Sequence, residues 1–236
     1  MNLKAIIFDA YGTLIDTKDG SVLATSAILR RNNSDLDAAE VYSRWKQYHR
    51  MHIESLATFV NEEAVFLLDL KRLYADYGIV GTPEEDVKIM LSTLGVRQLF
   101  PETLEVVGEL RKRYRVFIAS TSDTAPLESD LTRNGLAVDG YFTSESLQMH
   151  KPRREFYLRV LSEIGHSADE VLFVGDSLRD DVWGPAGAGL RTVWINRKSD
   201  FTRSDSDVAP DHEIHDLREL PAVVRKLSPT AGSEDC

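Results

Sequence analysis

Apolar residues fall into two regimes along this chain. Short unbroken runs stand at Ala5-Ile6-Ile7-Phe8, Val116-Phe117-Ile118-Ala119 and Val171-Leu172-Phe173-Val174, with a less pure one at Arg191-Thr192-Val193-Trp194-Ile195. Such runs read as strands buried on both faces, the habit of a parallel sheet. Between the first and second runs the spacing becomes helical. Val22, Leu23, Ile28 and Leu29 predict one helix, and Val41, Trp45, Tyr48 and His52 place another over 37–56. Asn61-Glu62-Glu63 opens a third, with Val65, Phe66, Leu68, Leu70 and Leu73 inside it and Gly78 as its stop. Thr82-Pro83-Glu84-Glu85 has the form of a capping box with proline at the first helical position; it opens a fourth helix that ends near Gly95.

Beyond this block, helices predicted over 101–113 and 125–133 and from Lys151-Pro152 to Ile164 alternate with the remaining apolar runs. The rhythm predicts an α/β fold, a parallel sheet with helices on both faces. The pattern divides the chain into a sheet-containing part, 1–15 and 98–236, and an inserted all-helical part, 16–97. Residues 199–210 read as a polar loop and those after Leu227 as a disordered tail. There is no internal repeat.

With 236 residues and 42% apolar content, the chain can bury one sizeable core, or one core and a small second domain. Its net charge of -10 argues against a nucleic-acid partner, which needs a basic surface. The basic stretch Arg111-Lys112-Arg113 lies at a predicted helix C-terminus, where cations suit the dipole. Cys236 is the only cysteine, so neither an intrachain disulfide nor a cysteine metal cluster is expected. No apolar run approaches the ~18 residues of a membrane span, and Leu3 to Phe8 is too short for a signal sequence. The expectation is a soluble cytoplasmic protein, monomer or homodimer, with neither membrane nor nucleic acid as partner.

Three of the predicted strands finish on a polar residue: Asp9, Ser120 and Asp176. In a parallel sheet these ends share one edge, where open α/β sheets hold ligands. Gly12 permits a turn that a side chain would hinder, and Thr13 can offer a hydroxyl and an N–H beside Asp9. A carboxylate placed there can be a nucleophile or a metal ligand. Asp176, Asp180 and Asp181 add negative charge that must be neutralised by a cation or by protons, and a hard ion such as Mg²⁺ suits them. Lys151 can bring an ammonium to Asp9.

Asp9-Ala10-Tyr11-Gly12-Thr13-Leu14, Ser120, Lys151-Pro152, and Gly175-Asp176 with Asp181 resemble, in order and spacing, the four motifs of the haloacid dehalogenase superfamily. The resemblance spans residues 3 to about 197. It implies a Rossmann-like core, a helical cap at 16–97 and an aspartyl-enzyme intermediate on Asp9. It implies that Ser120 binds the substrate's anionic group and that Lys151 holds Asp9 and that group together. In the superfamily's phosphatases the metal ligands correspond to Asp9, the Tyr11 carbonyl and Asp176, with Asp181 or Asp180 in support.

Two departures pull apart. Those phosphatases carry an acid/base aspartate where this chain has Tyr11, a phenol with pKa near 10. The first motif is instead similar to that of 2-haloacid dehalogenases, whose halide leaves without a proton; Tyr157 fits them too. Yet those metal-free enzymes usually have serine and asparagine where this chain has Gly175-Asp176-Ser177. They bind halide and carboxylate through a Trp-Arg-Gln stretch and an asparagine, where Trp45-Lys46-Gln47 and Thr121 stand here. Candidate substrate-binding residues are thus Tyr11, Thr13, Thr121 and Lys46, although Lys46 also reads as a solvated helix lysine. Losing a general acid costs about 10²–10⁴ in rate, whereas losing the halide cradle removes the groups that orient the substrate. The favoured reading is therefore Mg²⁺-dependent hydrolysis of a small phosphate monoester. The alternatives are a metal-independent 2-haloacid dehalogenase and a silent binding protein on the same fold. His49 and His52, three apart with no evident acidic partner, read as surface or packing residues, Trp45 and Tyr48 as cap core, and the glycines of 184–189 as close helix packing.

Overall fold

The computed structural model describes residues 2–197 and 208–228. Most of the predicted 199–210 loop, the tail beyond Ser228 and Cys236 lie outside the described residues. Among the described residues eight strands are formed: β1 (Ala5–Phe8), β2 (Ile15–Asp16), β3 (Gln98–Leu99), β4 (Arg115–Ser120), β5 (Gly140–Thr143), β6 (Val171–Gly175), β7 (Arg191–Ile195) and β8 (His212–Ile214). Six of them make one sheet in the order β5-β4-β1-β6-β7-β8, every neighbouring pair parallel. The strand at its centre, β1, pairs Ile6 with Val116 on one side and Leu172 on the other. Strand order reverses at β1, so the crevice of this sheet opens at its carboxyl end.

Ten helices are formed among the described residues. Those of the sheet part are α5 (Thr103–Leu110), α6 (Thr124–Asn134), α7 (Ser144–Leu147), α8 (Arg154–Ile164), α9 (Gly184–Gly187) and α10 (Leu220–Leu227). Alternate strand residues explain why the runs are apolar throughout. Ile6, Phe8, Ile118 and Val174 face one layer, with Val107 of α5, Leu127 of α6 and Val224 of α10. Ala5, Ile7, Phe117 and Phe173 face the other, with Phe156, Tyr157 and Val160 of α8. Burial of these side chains contributes about 1.5–3 kcal/mol apiece. Strands β5 and β8, helices α7 and α10 and the two-residue strands β2 and β3 are elements that the hydrophobic pattern does not reveal.

The remaining four helices form a separate unit: α1 (Gly20–Arg31), α2 (Ala38–Ser55), α3 (Glu62–Tyr77) and α4 (Pro83–Leu91). Their own core contains Ile28, Trp45, Leu70, Leu73, Val87 and Met90. Asp37 caps α2 by accepting from the Glu40 N–H at 2.8 Å, Asn61 caps α3 through the Ala64 N–H at 3.2 Å, and Gly78 ends α3 in the left-handed region. The expected capping box of α4 is not formed. Thr82 makes no side-chain cap bond, the Glu85 N–H going to the Thr82 carbonyl at 3.0 Å; the Glu85 carboxylate turns to Arg31 at 2.7 Å, and α4 stops at Leu91. The unit enters and leaves the sheet part through β2 and β3, which pair antiparallel, Ile15 with Leu99 and Asp16 with Gln98. No helix among the described residues is long and apolar enough to cross a membrane.

Candidate active site

Strand β1 delivers Asp9 to the carboxyl edge, where its N–H is held by the Val174 carbonyl at 2.8 Å. The chain then turns sharply, and the Leu14 and Ile15 N–H groups both return to the Ala10 carbonyl. The turn requires Gly12 at φ 95°, and a Cβ there would stand 2.4 Å from Oδ2 of Asp176. Thr13, fully buried, points its hydroxyl at Asp176 across 3.5 Å. After β6 the chain forms a π-helical segment, Leu178–Trp183, whose start is fixed by Ser177 Oγ accepting from the Asp180 N–H. Such segments are rare and concentrate at functional sites. This one carries Asp181 back against the end of β6, and Gly175 leaves the room: a Cβ there would lie 2.3 Å from the Asp181 carboxyl carbon.

These local shapes bring one oxygen of each of Asp9, Asp176 and Asp181 within 4.8 Å of one another. Lys151, just ahead of α8 and 2% exposed, places its ammonium 2.9 Å from Oδ1 of Asp9 and 2.9 Å from Oδ1 of Asp181. Burial works against that ammonium, but Asp181 and Asp9 outweigh it and hold its pKa above the ordinary lysine value. Burial raises Asp181 well above the carboxylate range, Lys151 pulling it down and Asp9 pushing it further up. Asp176 keeps an exposed edge but is largely surrounded by protein; that desolvation, and then the charge of Asp9, push it up to about 7. The site is short of positive charge. Three converging carboxylates against one ammonium are the donor set of a hard, oxygen-seeking cation, and the residues present fit such an ion. Between Asp180 and Asp181, it is Asp181 that joins the cluster.

Above the edge lies a cleft of about 320 Å³, walled by both the sheet part and the helical unit. Thr121, Lys151 and Tyr11 line it from below and Lys46, His49 and Glu62 from above. Lys46 is exposed at this wall with its ammonium 5.3 Å from the Tyr42 ring centroid. Ser120, 1% exposed, accepts hydrogen bonds from the Ser122 N–H at 3.3 Å and hydroxyl at 3.0 Å. The Tyr11 hydroxyl donates to Asp130 at 3.0 Å, and burial and Asp130 raise its pKa far above the ordinary phenol. Tyr157 is fully buried and donates to the Asp180 carbonyl, bracing the π-helical segment; Gly184 gives its ring room, since a Cβ there would lie 2.3 Å from the phenol oxygen. Trp45 lies in the core of the helical unit, as expected.

The expectation that His49 and His52 lack an acidic partner does not hold. Asp69, fully buried on α3, faces Nδ1 of both, at 2.8 and 2.6 Å, and accepts from the Trp45 indole N–H at 3.1 Å. Its separation of 17 and 20 residues hides the pairing from helix periodicity. Two further residues escape sequence reasoning. Arg197, past β7, donates to the Thr13 carbonyl at 2.7 Å and the Gly12 carbonyl at 3.2 Å while paired with buried Glu102 at 2.7 Å. Trp194 donates to the Asp176 carbonyl at 2.9 Å. Both clamp the loops that present the carboxylates.

A buried carboxylate, its lysine and an acidic pair now stand on one sheet edge, and residues 3–189 match the family profile described as haloacid dehalogenase-like hydrolase. The chain belongs to the haloacid dehalogenase-like hydrolases. Within that family it is similar to the pyrimidine 5'-nucleotidase PynA of Streptococcus pneumoniae, 26% identical, with 93% of this chain and 94% of the relative covered. It is equally similar, at 26% identity, to (S)-2-haloacid dehalogenase 4A of Burkholderia cepacia, covering 98% of this chain and 99% of the relative. Among solved structures, the putative HAD-hydrolase YfnB of Bacillus subtilis, described as bound to magnesium, shares the fold with a TM-score of 0.81 at 23% identity, over 95% of this chain and all of that one. The haloacid dehalogenase-like fold, a parallel sheet with surrounding helices, is the one expected from the strand and helix rhythm.

Proposed function

We propose that this haloacid dehalogenase-like hydrolase is a phosphohydrolase that uses Mg²⁺ and acts on small phosphate monoesters, with Asp9 as nucleophile and the helical unit as cap. The observation that carries the reading is the convergence of Asp9, Asp176 and Asp181 around one lysine. A metal-free displacement of halide gains nothing from two extra carboxylates beside its nucleophile; a phosphoryl group, with three charged oxygens, needs cations. Asp9, Asp176, Asp181 and the Tyr11 carbonyl would hold Mg²⁺, which when bound supplies positive charge to the phosphoryl oxygens. Lys151 engages only Oδ1 of Asp9, which leaves Oδ2 outside that bond for attack on phosphorus. Its P–O ester bond breaks as the aspartyl phosphate forms, and water then releases phosphate and restores Asp9. Ser120 and Thr121, at the end of β4, are suited to hold the phosphoryl oxygens, and Lys46 to contact the rest of the substrate; Thr13, fully buried, steadies Asp176 instead of reaching the cleft. PynA, a nucleotidase by name, shows that a relative of similar length acts on a phosphate ester.

One observation favours a second reading, the 2-haloacid dehalogenase. No carboxyl group stands at position 11, and the phenol there is tied to Asp130, which suits a leaving group that needs no proton. Hydrolysis of a panel of phosphate monoesters, abolished by EDTA and restored by Mg²⁺, with no chloride from L-2-chloropropionate, is the expected result. Chloride release that survives EDTA, with every ester untouched, refutes the proposal in favour of the dehalogenase.

A further inference from the structure

Glu62 is the first residue of α3 and belongs to the helical unit, yet its main chain is fastened to the sheet part. Its N–H donates to both carboxylate oxygens of Asp123, at 3.0 and 3.1 Å. Asp123 follows Ser120, Thr121 and Ser122 in the loop after β4, so this contact sets where Glu62 stands relative to the strand ends. The Glu62 side chain lines the same cleft as Tyr11, Thr121 and Lys151. Its Oε2 is buried, and among the described residues nothing donates to it. A buried carboxylate oxygen without a partner lowers stability and calls for a reason. The reason offered by its surroundings is a substrate that donates to it, or takes a proton from it.

We infer that Glu62 is the general acid and base of the reaction, supplying from the helical unit the carboxyl group that position 11 lacks. The assignment rests on the phosphohydrolase reading. Tyr11 stands near enough to Glu62 for the glutamate's charge to raise the phenol further, but the phenol is locked to Asp130 and is a weak acid there. The groups facing Glu62 are Asp123 beneath it, Arg97 at the ring of Tyr11, and His49 on α2. Burial first, and then Asp123, push the Glu62 carboxyl up to about 6, while His49 and Arg97 hold it back. That places it close to neutrality, where one group can give a proton in one half-reaction and take one in the next. The helical unit also brings Tyr42, Lys46, His49 and Arg50 to this wall; of these, His49 is already engaged through Nδ1 by Asp69.

The proton balance closes. As an Asp9 oxygen bonds to phosphorus and the ester P–O bond breaks, the departing alkoxide takes the proton of the Glu62 carboxyl. The resulting Glu62 carboxylate then takes a proton from the water that attacks the aspartyl phosphate; the P–O bond to Asp9 breaks, and Glu62 is protonated again for the next turnover.

The test compares Glu62→Gln with the wild type on an alkyl phosphate, whose alkoxide must be protonated, and on p-nitrophenyl phosphate, whose phenolate need not be. Removing the acid should lower kcat/KM for the alkyl ester by about 10²–10⁴-fold and leave that for p-nitrophenyl phosphate within a few-fold. Removing the base should slow hydrolysis of the aspartyl phosphate, so rapid mixing of Glu62→Gln with p-nitrophenyl phosphate should give a burst of p-nitrophenolate stoichiometric with enzyme. Unchanged Mg²⁺ affinity by calorimetry shows that the variant is folded with its carboxylate cluster intact. Equal losses on both esters, or none on either, overturn the assignment while the phosphohydrolase reading stands. So does a leaving-group-selective loss in His49→Gln with none in Glu62→Gln. A wild type that hydrolyses no ester takes both down.

Discussion

Gly12 offers the sharpest lever on the carboxylate cluster, because its replacement strikes Asp176 without removing it. In Gly12→Ala the new Cβ would stand 2.4 Å from Oδ2 of Asp176. Ordinary contacts between heavy atoms lie near 3.5 Å, so the carboxylate must retreat by about 1 Å. Disturbing the orientation of a metal-binding group typically lowers affinity about 10–100-fold. A second cost comes from the backbone: φ 95° is hostile to alanine and adds about 1–3 kcal/mol of strain. Gly135→Ala separates the two, since that residue also has positive φ, 66°, but nothing within 4 Å of its Cβ. Both variants should lose several degrees in thermal unfolding in EDTA, at ~2–4 °C per kcal/mol for a chain of this size. Only Gly12→Ala should weaken Mg²⁺ binding in calorimetry. Wild-type Mg²⁺ affinity in Gly12→Ala would mean that Asp176 does not carry the ion.

Three further outcomes are expected. Folded-state pKa values of Asp176 and Asp181 lie above the unfolded value of 3.8. The metal-free protein therefore has their full contribution to stability below about pH 4 and loses that of Asp176 as pH rises to about 7. In EDTA, Asp176→Asn should melt above the wild type at pH 7 and level with it near pH 4; a pH-independent difference contradicts the charge-crowding account. Tyr11→Phe should lower stability by about 1–3 kcal/mol, because buried Asp130 loses a donor, without changing the ratio of alkyl to aryl ester turnover; a changed ratio would return Tyr11 to the acid role. Asp69→Ala orphans the Trp45 and histidine donors at about 1–3 kcal/mol each, and hydrogen exchange should show the loss in α2 and α3 before the sheet; uniform loss would mean that the two units unfold as one.

What could be read from the sequence follows burial. β1, β4 and β6 are covered on both faces, so their apolar runs declare them, and the polar residues ending those runs lead directly to Asp9, Ser120 and Asp176. Lys151 and the crowded Asp180 and Asp181 stand out as charges that those ends must balance, and the resemblance in motif order adds the roles it implies for them. β5 and β8 lie at the two edges of the sheet, are three or four residues long and are only partly buried, so no run marks them. The clamp by Arg197 and the Asp69 partnership with His49 and His52 join residues far apart in sequence, which no periodicity encodes. Glu62 reads in the sequence only as a helix-opening acid; its importance comes from the buried, unpartnered oxygen that tertiary structure creates.

The antiparallel pairing of Ile15 with Leu99 and Asp16 with Gln98 has an evolutionary consequence. Although some eighty residues separate these positions, the main chain of the sheet part is interrupted by only one strand spacing, about 5 Å. Whatever leaves at residue 16 and returns at 98 is therefore spliced into a gap that a tight turn could bridge, and longer excursions cost little extra in closure entropy. The excursion can be lengthened, trimmed or exchanged while β1, β4 and β6 keep their register. Mutations that retune Tyr42, Lys46 or Arg50 on the cleft's upper wall are then insulated from Asp9, Lys151 and Asp181, so descent can redraw what the cleft admits while the sheet edge is inherited unaltered.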